Sequence, residues 1–249
     1  MSSARSFLDT ILLDPGVVRD LGRSLFSAIP PGPAPYDRKA ALYDAVVGRS
    51  LYHRMFWGTS ARAFAHFART AVDASSGGWF AEAGCGSLVF THALYSEAGG
   101  PPAVLVDRSL GMLKRGLKQL RGGGREPRRN VALLHADVCA LPVRSGVFSS
   151  ILSLNLLHVP CEAVVIAQEL GRILHPAHGR LFLSCLVRSG RWSDAYMTLL
   201  YRAGELAKPW TVEQLERTVA AGWGAIESTR VDGNMCFMVI RHAGAASTP

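Results

Sequence analysis

The chain of 249 residues is 49% hydrophobic and 18% charged, with a formal net charge of +8. That is enough apolar material for one large domain or a core with a small cap, and no apolar run approaches the ~18–20 residues of a membrane-spanning helix. The five cysteines, at 85, 139, 161, 185 and 236, are odd in number, widely spaced and form no C-x-x-C pair. This points away from a disulfide scaffold, a zinc site or a redox dithiol and toward reduced thiols.

Residues 1–22 carry Arg5, Asp9, Asp14, Arg19 and Asp20 where a secretory signal would have a basic, apolar and small-residue order, so a cytoplasmic location is expected. Leu8, Ile11, Leu12, Val17, Val18, Leu21 and Leu25 show helical periodicity over residues 1–30. Pro30-Pro31-Gly32-Pro33-Ala34-Pro35 then breaks the chain. Residues 36–72 are again expected to be helical, with Tyr36, Tyr43, Tyr52, Phe56, Trp57, Phe64 and Phe67. Residues 1–72 are therefore taken as an N-terminal helical arm and cap.

From about residue 77 the pattern changes. Gly78–Ala83 is a short apolar strand carrying Glu82 near its end, followed by the turn Gly84-Cys85-Gly86 and a helix expected over Leu88–Glu97. Glycine suits a sharp turn that lets a ligand approach the backbone closely. Ala103–Val106 is a fully apolar strand ending in Asp107. An acid about 20 residues past such a turn can accept hydrogen bonds from ribose hydroxyls. Val131–Ala136 ends in Asp137, placed to accept from an adenine amino group, and Val147–His158 is a fourth strand whose polar tip, with Asn155 and His158, faces the same crevice. The one basic cluster, Arg121–Arg129, falls in a loop before the third strand, so a nucleic-acid partner is weighed and not favoured. Further along, a helix starts at Ser193 and a capping box, Thr211 and Gln214, opens another. Two last strands, 225–230 and 236–241, are joined through Asp232-Gly233-Asn234. The tail from Ala243 is expected to fray.

Four of these segments, in register, resemble class I S-adenosylmethionine-dependent methyltransferases. Glu82–Ser87 resembles motif I, Asp107–Met112 the second-strand motif, Ala136–Val138 the adenine-contacting motif and Asn155–His158 motif IV. Gln168–Pro176 with Gly179–Ser184 is similar to the family's helix-to-fifth-strand segment. The branch is the small-molecule group that includes the ubiquinone and menaquinone methyltransferases. The resemblance implies a Rossmann-like α/β fold over residues 73–242: a seven-stranded, mostly parallel sheet with an antiparallel last strand, helices on both faces and an N-terminal helical cap. It implies S-adenosylmethionine as cofactor, held by Glu82, Gly84, Cys85, Gly86, Asp107, Arg108, Met112, Asp137, Val138 and Asn155, and a small, apolar or aromatic methyl acceptor. One departure stands out: Leu88 occupies a position where the family usually has glycine, and it is expected to crowd the methionine side of the pocket.

The cofactor already carries an activated methyl group, so the protein has to orient a nucleophile and exclude water. His158 is the candidate base, since imidazole titrates near neutral pH, although the resemblance, with histidine here across unrelated substrates, favours positioning over proton transfer. Tyr43 could close over the cofactor or touch the acceptor. Pro160-Cys161 follows the fourth strand and reads as a helix start rather than a nucleophile. No cluster of carboxylates and histidines has metal-ligand spacing. An RNA or protein methyltransferase and a non-catalytic scaffold or partner subunit remain the alternatives. A nicotinamide oxidoreductase is disfavoured by the closing hairpin.

Overall fold

The computed structural model describes residues 3–30, 57–97, 99–122, 127–157, 163–190, 193–202 and 209–242. The expected aromatic cap over 36–56, the Pro160-Cys161 pair and the tail lie outside the described residues.

Nine strands form one sheet in the order β1-β2-β5-β4-β3-β6-β7-β9-β8. The strands are β1 (Arg19–Asp20), β2 (Leu25–Ser27), β3 (Trp79–Ala83), β4 (Ala103–Asp107), β5 (Val131–His135), β6 (Phe148–Leu154), β7 (Arg180–Leu186), β8 (Gly224–Asp232) and β9 (Met235–His242). From β2 to β7 all neighbours are parallel. The continuous apolar runs of β4 and β5 are buried on both faces, as parallel strands covered by helices must be. The chain's last strand, β9, inserts antiparallel beside β7, with β8 outside it. This is the expected seven-stranded arrangement with two more strands at one edge.

Helices α1 (Ser3–Asp9), α4 (Ala163–Ile173) and α6 (Val212–Gly222) cover one face, and α2 (Ala61–Asp73) and α3 (Leu110–Leu120) the other. Helix α5 (Ser193–Arg202) follows β7. Two apolar clusters separate accordingly. Leu8, Ile166, Leu170, Leu215 and Val219 meet the inward residues of one face, and Phe64, Phe67, Leu113 and Leu120 those of the other. The capping box forms as expected: Thr211 Oγ1 accepts from Gln214 N and Gln214 Oε1 accepts from Thr211 N.

Two helical expectations are corrected. Residues 1–30 are helical only over Ser3–Asp9, with a single 3-10 turn at Pro15–Val17; the rest turns and then enters the sheet. Proline at 15 lacks an N–H and pushes Asp14 out of the α region, where Asp14 instead accepts from Gly16 N. Gly22, Arg23 and Ser24 then all adopt positive φ, a run no right-handed helix contains. This reversal delivers β2 alongside β5 in parallel register. The connection 136–147 between β5 and β6 holds no helix. It is fixed by Arg172, which donates to the Val143 and Leu141 carbonyls and pairs with Glu169 at 2.7 Å. Helix α1 packs on β5, with Leu12 bridging to Val143, so the N-terminus covers the face that a crossover helix would cover.

The second correction concerns the segment after the glycine turn. Leu88–Glu97 is not an α-helix: it turns, and only His92–Tyr95 makes a 3-10 turn. Leu88 itself has φ +62, a left-handed conformation that breaks a helix at its first turn.

Candidate functional site

The glycine turn lies at the carboxyl end of β3, near the middle of the sheet. Gly84 has φ +71, and a Cβ there would stand 2.9 Å from Leu156 Cδ1. Gly86 has φ +55 and lies under the Met112 methyl. Both positions need glycine's conformational freedom. Between them, Cys85 N donates to Val106 O at 2.9 Å, tying the turn to β4. Asp107 closes the arrangement. Its Oδ2 accepts from Gly86 N and its Oδ1 from Ser109 N, each at 2.8 Å. Ser109 in turn caps α3 by accepting from Met112 N. One half-buried carboxylate thus joins the glycine turn, the tip of β4 and the start of a helix, where the helix dipole favours negative charge.

On the far side of Asp107, Arg108 Nη1 stands 3.6 Å from Asp137 Oδ2, while Asp137 Oδ1 accepts from Cys139 N. Arg108 is exposed, Asp137 and Val138 are half-buried and Met112 is buried. The strand ends therefore bring together Gly84, Cys85, Gly86, Asp107, Arg108, Met112, Asp137 and Val138, in the positions at which open parallel sheets take ligands.

Two expected site residues point elsewhere. The Glu82 carboxylate is 2% exposed and turned behind the glycine turn, where it accepts from Tyr95 Oη and Thr91 Oγ1. Asn155, at φ +59 after β6, is folded onto β7. Its N donates to Ser184 O and its Oδ1 accepts from Ser184 Oγ. Tyr43 and His158 lie outside the described residues. Leu88, expected to crowd the pocket, buries its side chain against Gly116 of α3, where a Cβ would come within 3.1 Å of Leu88 Cγ. The Cys85 thiol is pushed well above its ordinary range by burial, so it stays protonated.

Burial lifts the Glu82 carboxyl to about 7, against the pull of its Tyr95 and Thr91 donors. The folded value lies above the ordinary 4.5, so the folded chain keeps this proton where the unfolded chain has lost it. The group's contribution to stability is complete below about pH 4.5 and is lost as the pH rises through about 7. Glu82→Gln is expected to remove that component. The variant should be more stable than the wild type by about 1–3 kcal/mol at pH 8 and gain nothing at pH 4.5, read from melting curves across that range.

Sequence reasoning missed Tyr95, Thr91, Ser109 and His135. Ser109 was legible as a helix cap before Leu110. The partnership of Tyr95 with Glu82 had no signal, because a regular helix over Leu88–Glu97 would have put Tyr95 elsewhere. Among the described residues no group of three His, Cys, Asp or Glu side chains could hold a metal ion, and no helix is long and apolar enough to cross a membrane.

A parallel sheet closed by an antiparallel hairpin, with a glycine turn and an acid on adjacent strand tips, defines the fold of class I S-adenosylmethionine-dependent methyltransferases. Residues 80–177 match the family model described as a methyltransferase domain, a kind of domain whose cofactor is S-adenosylmethionine. No curated protein matches the sequence. Among solved structures, geranyl diphosphate C-methyltransferase from Streptomyces coelicolor A3(2), complexed with Mg2+, geranyl-S-thiolodiphosphate and S-adenosyl-L-homocysteine, is 13% identical. The alignment has a TM-score of 0.60 over 86% of this chain and 99% of that one. A Bacillus halodurans C-125 protein designated a methyltransferase is 12% identical, with a TM-score of 0.59 over 74% of this chain and 100% of the other. The complex of the Haloferax volcanii Trm112 methyltransferase activator with the protein designated its methyltransferase aligns at 13% identity and a TM-score of 0.62, over 86% and 99%. These likenesses carry the fold.

Proposed function

We propose that the chain transfers a methyl group from S-adenosylmethionine to a small, apolar or aromatic acceptor at O, N or C. The observation that carries the reading is Asp107, whose carboxylate is oriented by the Gly86 and Ser109 amides beside two left-handed glycines. When bound, the cofactor supplies an activated methyl group on a sulfonium. In this reading Asp107 accepts from the ribose hydroxyls and Asp137 from the adenine amino group. Arg108, Met112 and Val138 flank the base, and the Gly84-Cys85-Gly86 backbone lies against the methionine half. Glu82 acts from behind, holding the turn through Tyr95 and Thr91, and Asn155 holds the tip of β6 for the segment that carries His158. His158 orients or deprotonates the acceptor, and Tyr43 closes over the cofactor or touches the acceptor.

An apolar acceptor is supported by α5, which follows the carboxyl end of β7 and exposes Leu199 and Tyr201. The Streptomyces neighbour's isoprenoid ligand is a guide to the first acceptors to try. Cys185 and Cys236, paired across the β7/β9 ladder, are free thiols, which suits a reducing cytoplasm. The test is to incubate the protein with S-adenosylmethionine and separate panels of isoprenoid, phenolic and RNA acceptors, and to follow S-adenosylhomocysteine release. Turnover on a small apolar acceptor is expected. Turnover on RNA alone would replace the acceptor class, and cofactor binding without release on any panel would favour the scaffold reading.

A further inference from the structure

We propose that His135 is a positioning residue for the cofactor site, and that the N-terminal strand β2 acts on that site through it. The proposal rests on the reading of Asp107 and Arg108 as the adenosine end of that site. His135 ends the apolar strand β5 and is 2% exposed. Burying an imidazole there has a cost that valine or isoleucine would avoid, unless its polar atoms are engaged. Its Nε2 lies 3.1 Å from the Arg108 carbonyl oxygen and its Nδ1 2.8 Å from Ser27 Oγ of β2. A carbonyl only accepts, so Nε2 carries the proton and Nδ1 accepts from the Ser27 hydroxyl, whose one proton is shared with the Ile29 carbonyl oxygen 2.8 Å away.

The Arg108 carbonyl belongs to the same peptide unit as the Ser109 N–H. That N–H donates to Asp107 Oδ1, and Asp107 Oδ2 accepts from Gly86 N. A peptide unit is planar, so its rotation moves carbonyl and N–H together. By fixing the carbonyl, His135 fixes the direction of the amide that aims the Asp107 carboxylate. A continuous path of hydrogen bonds therefore runs from Ser27 through His135, the 108–109 peptide and Asp107 to the glycine turn. Ser27 and His135 are direct neighbours in the β2/β5 register, and Asp107 and His135 in the β4/β5 register. Ala28 N also donates to His135 O. The arm that completes the sheet edge thus reaches the cofactor site through one side chain.

The two ring nitrogens can be tested separately. In His135→Gln the amide nitrogen falls near Nε2 and keeps the donor to Arg108. In His135→Asn the amide falls near Nδ1, which keeps the Ser27 contact and loses the Arg108 one. Affinity for S-adenosylhomocysteine is measured by calorimetry on the full chain, alongside ligand-free melting. The expected result is a dissociation constant raised about tenfold in His135→Asn, and raised about threefold to fivefold in both His135→Gln and Ser27→Ala, which lose only the Ser27 contact. A purely structural role would weaken the Asn and Gln variants alike, and that result overturns the proposal. Wild-type affinity in all three variants, with binding lost in Asp107→Ala, overturns it while leaving the cofactor reading intact. Absence of binding by the wild type overturns both. If neither His135 variant folds, Ser27→Ala decides: weaker binding with unchanged melting supports the proposal, and equal binding overturns it.

Discussion

Asp107→Ala should raise the dissociation constant for S-adenosylhomocysteine at least about a hundredfold, or ~2.7 kcal/mol. Two effects combine. The ribose loses a charged acceptor, and bonds to charged groups are the stronger kind. The Gly86 and Ser109 amides, each held at 2.8 Å, lose the group that keeps the turn and the start of α3 in place. For the second reason the ligand-free protein should also lose about 1–3 kcal/mol. Asp107→Asn separates the two effects. Its single carbonyl oxygen can serve only one amide well, so its affinity and melting temperature should both fall between wild type and Ala. A variant that melted like the wild type and bound equally well would remove Asp107 from the site.

The largest expected effect on stability comes from the hairpin that ends the sheet. Gly233 has φ +65, and a Cβ there would lie 2.4 Å from Trp57 O and 2.6 Å from Gly58 Cα. The opposing backbone has little room to retreat. Trp57 O accepts from Asn234 N at 2.8 Å, and Thr59 Oγ1 donates to Asp232 Oδ2 at 2.6 Å. Asn234, fully buried, also donates to Val187 O and to Asp194 of α5. Gly233→Ala should therefore cost about 3 kcal/mol or more and lower the melting temperature by roughly 6–12 °C. Gly77→Ala is the control. Its φ is +82, but no atom outside its immediate neighbours comes within 4 Å of the new Cβ, so only the left-handed strain of about 1 kcal/mol applies. Equal losses in the two variants would refute the tight contact at the hairpin. Because the same turn holds α5 and the lead into α2, loosening it should also loosen both of these segments.

What was legible in the sequence was the part governed by local pattern. β3, β4 and β5 are apolar runs ending in or near acids, and their burial on both faces leaves such runs one plausible role, that of central parallel strands. The capping box and the closing hairpin carry their own turn chemistry and formed as read. The parts that were not legible depend on distant partners. β2 has three residues, and nothing in Leu25-Phe26-Ser27 shows that it pairs with residues 133–135. The periodicity of residues 1–30 was real for α1 but was overridden beyond it by Pro15 and the left-handed run at 22–24. Leu88 in the left-handed region opposes the residue's own preference, and its burial against Gly116, where the helix has no side chain, offsets that strain. In the site, the glycines and Asp107 came together where strand-end reasoning placed them. Glu82 did not join them, because its hydroxyl partners, Tyr95 and Thr91, draw it behind the turn. His135 is indistinguishable in sequence from any other residue of β5, because its contacts are to Ser27 of β2 and to the Arg108 carbonyl just past β4.

The most direct test of the cofactor site is calorimetric titration of the full chain with S-adenosylhomocysteine. The account predicts one site per chain with micromolar affinity, lost when Asp107 is replaced by alanine. A wild-type protein that gives no binding heat and no upward shift in melting with this ligand would contradict it.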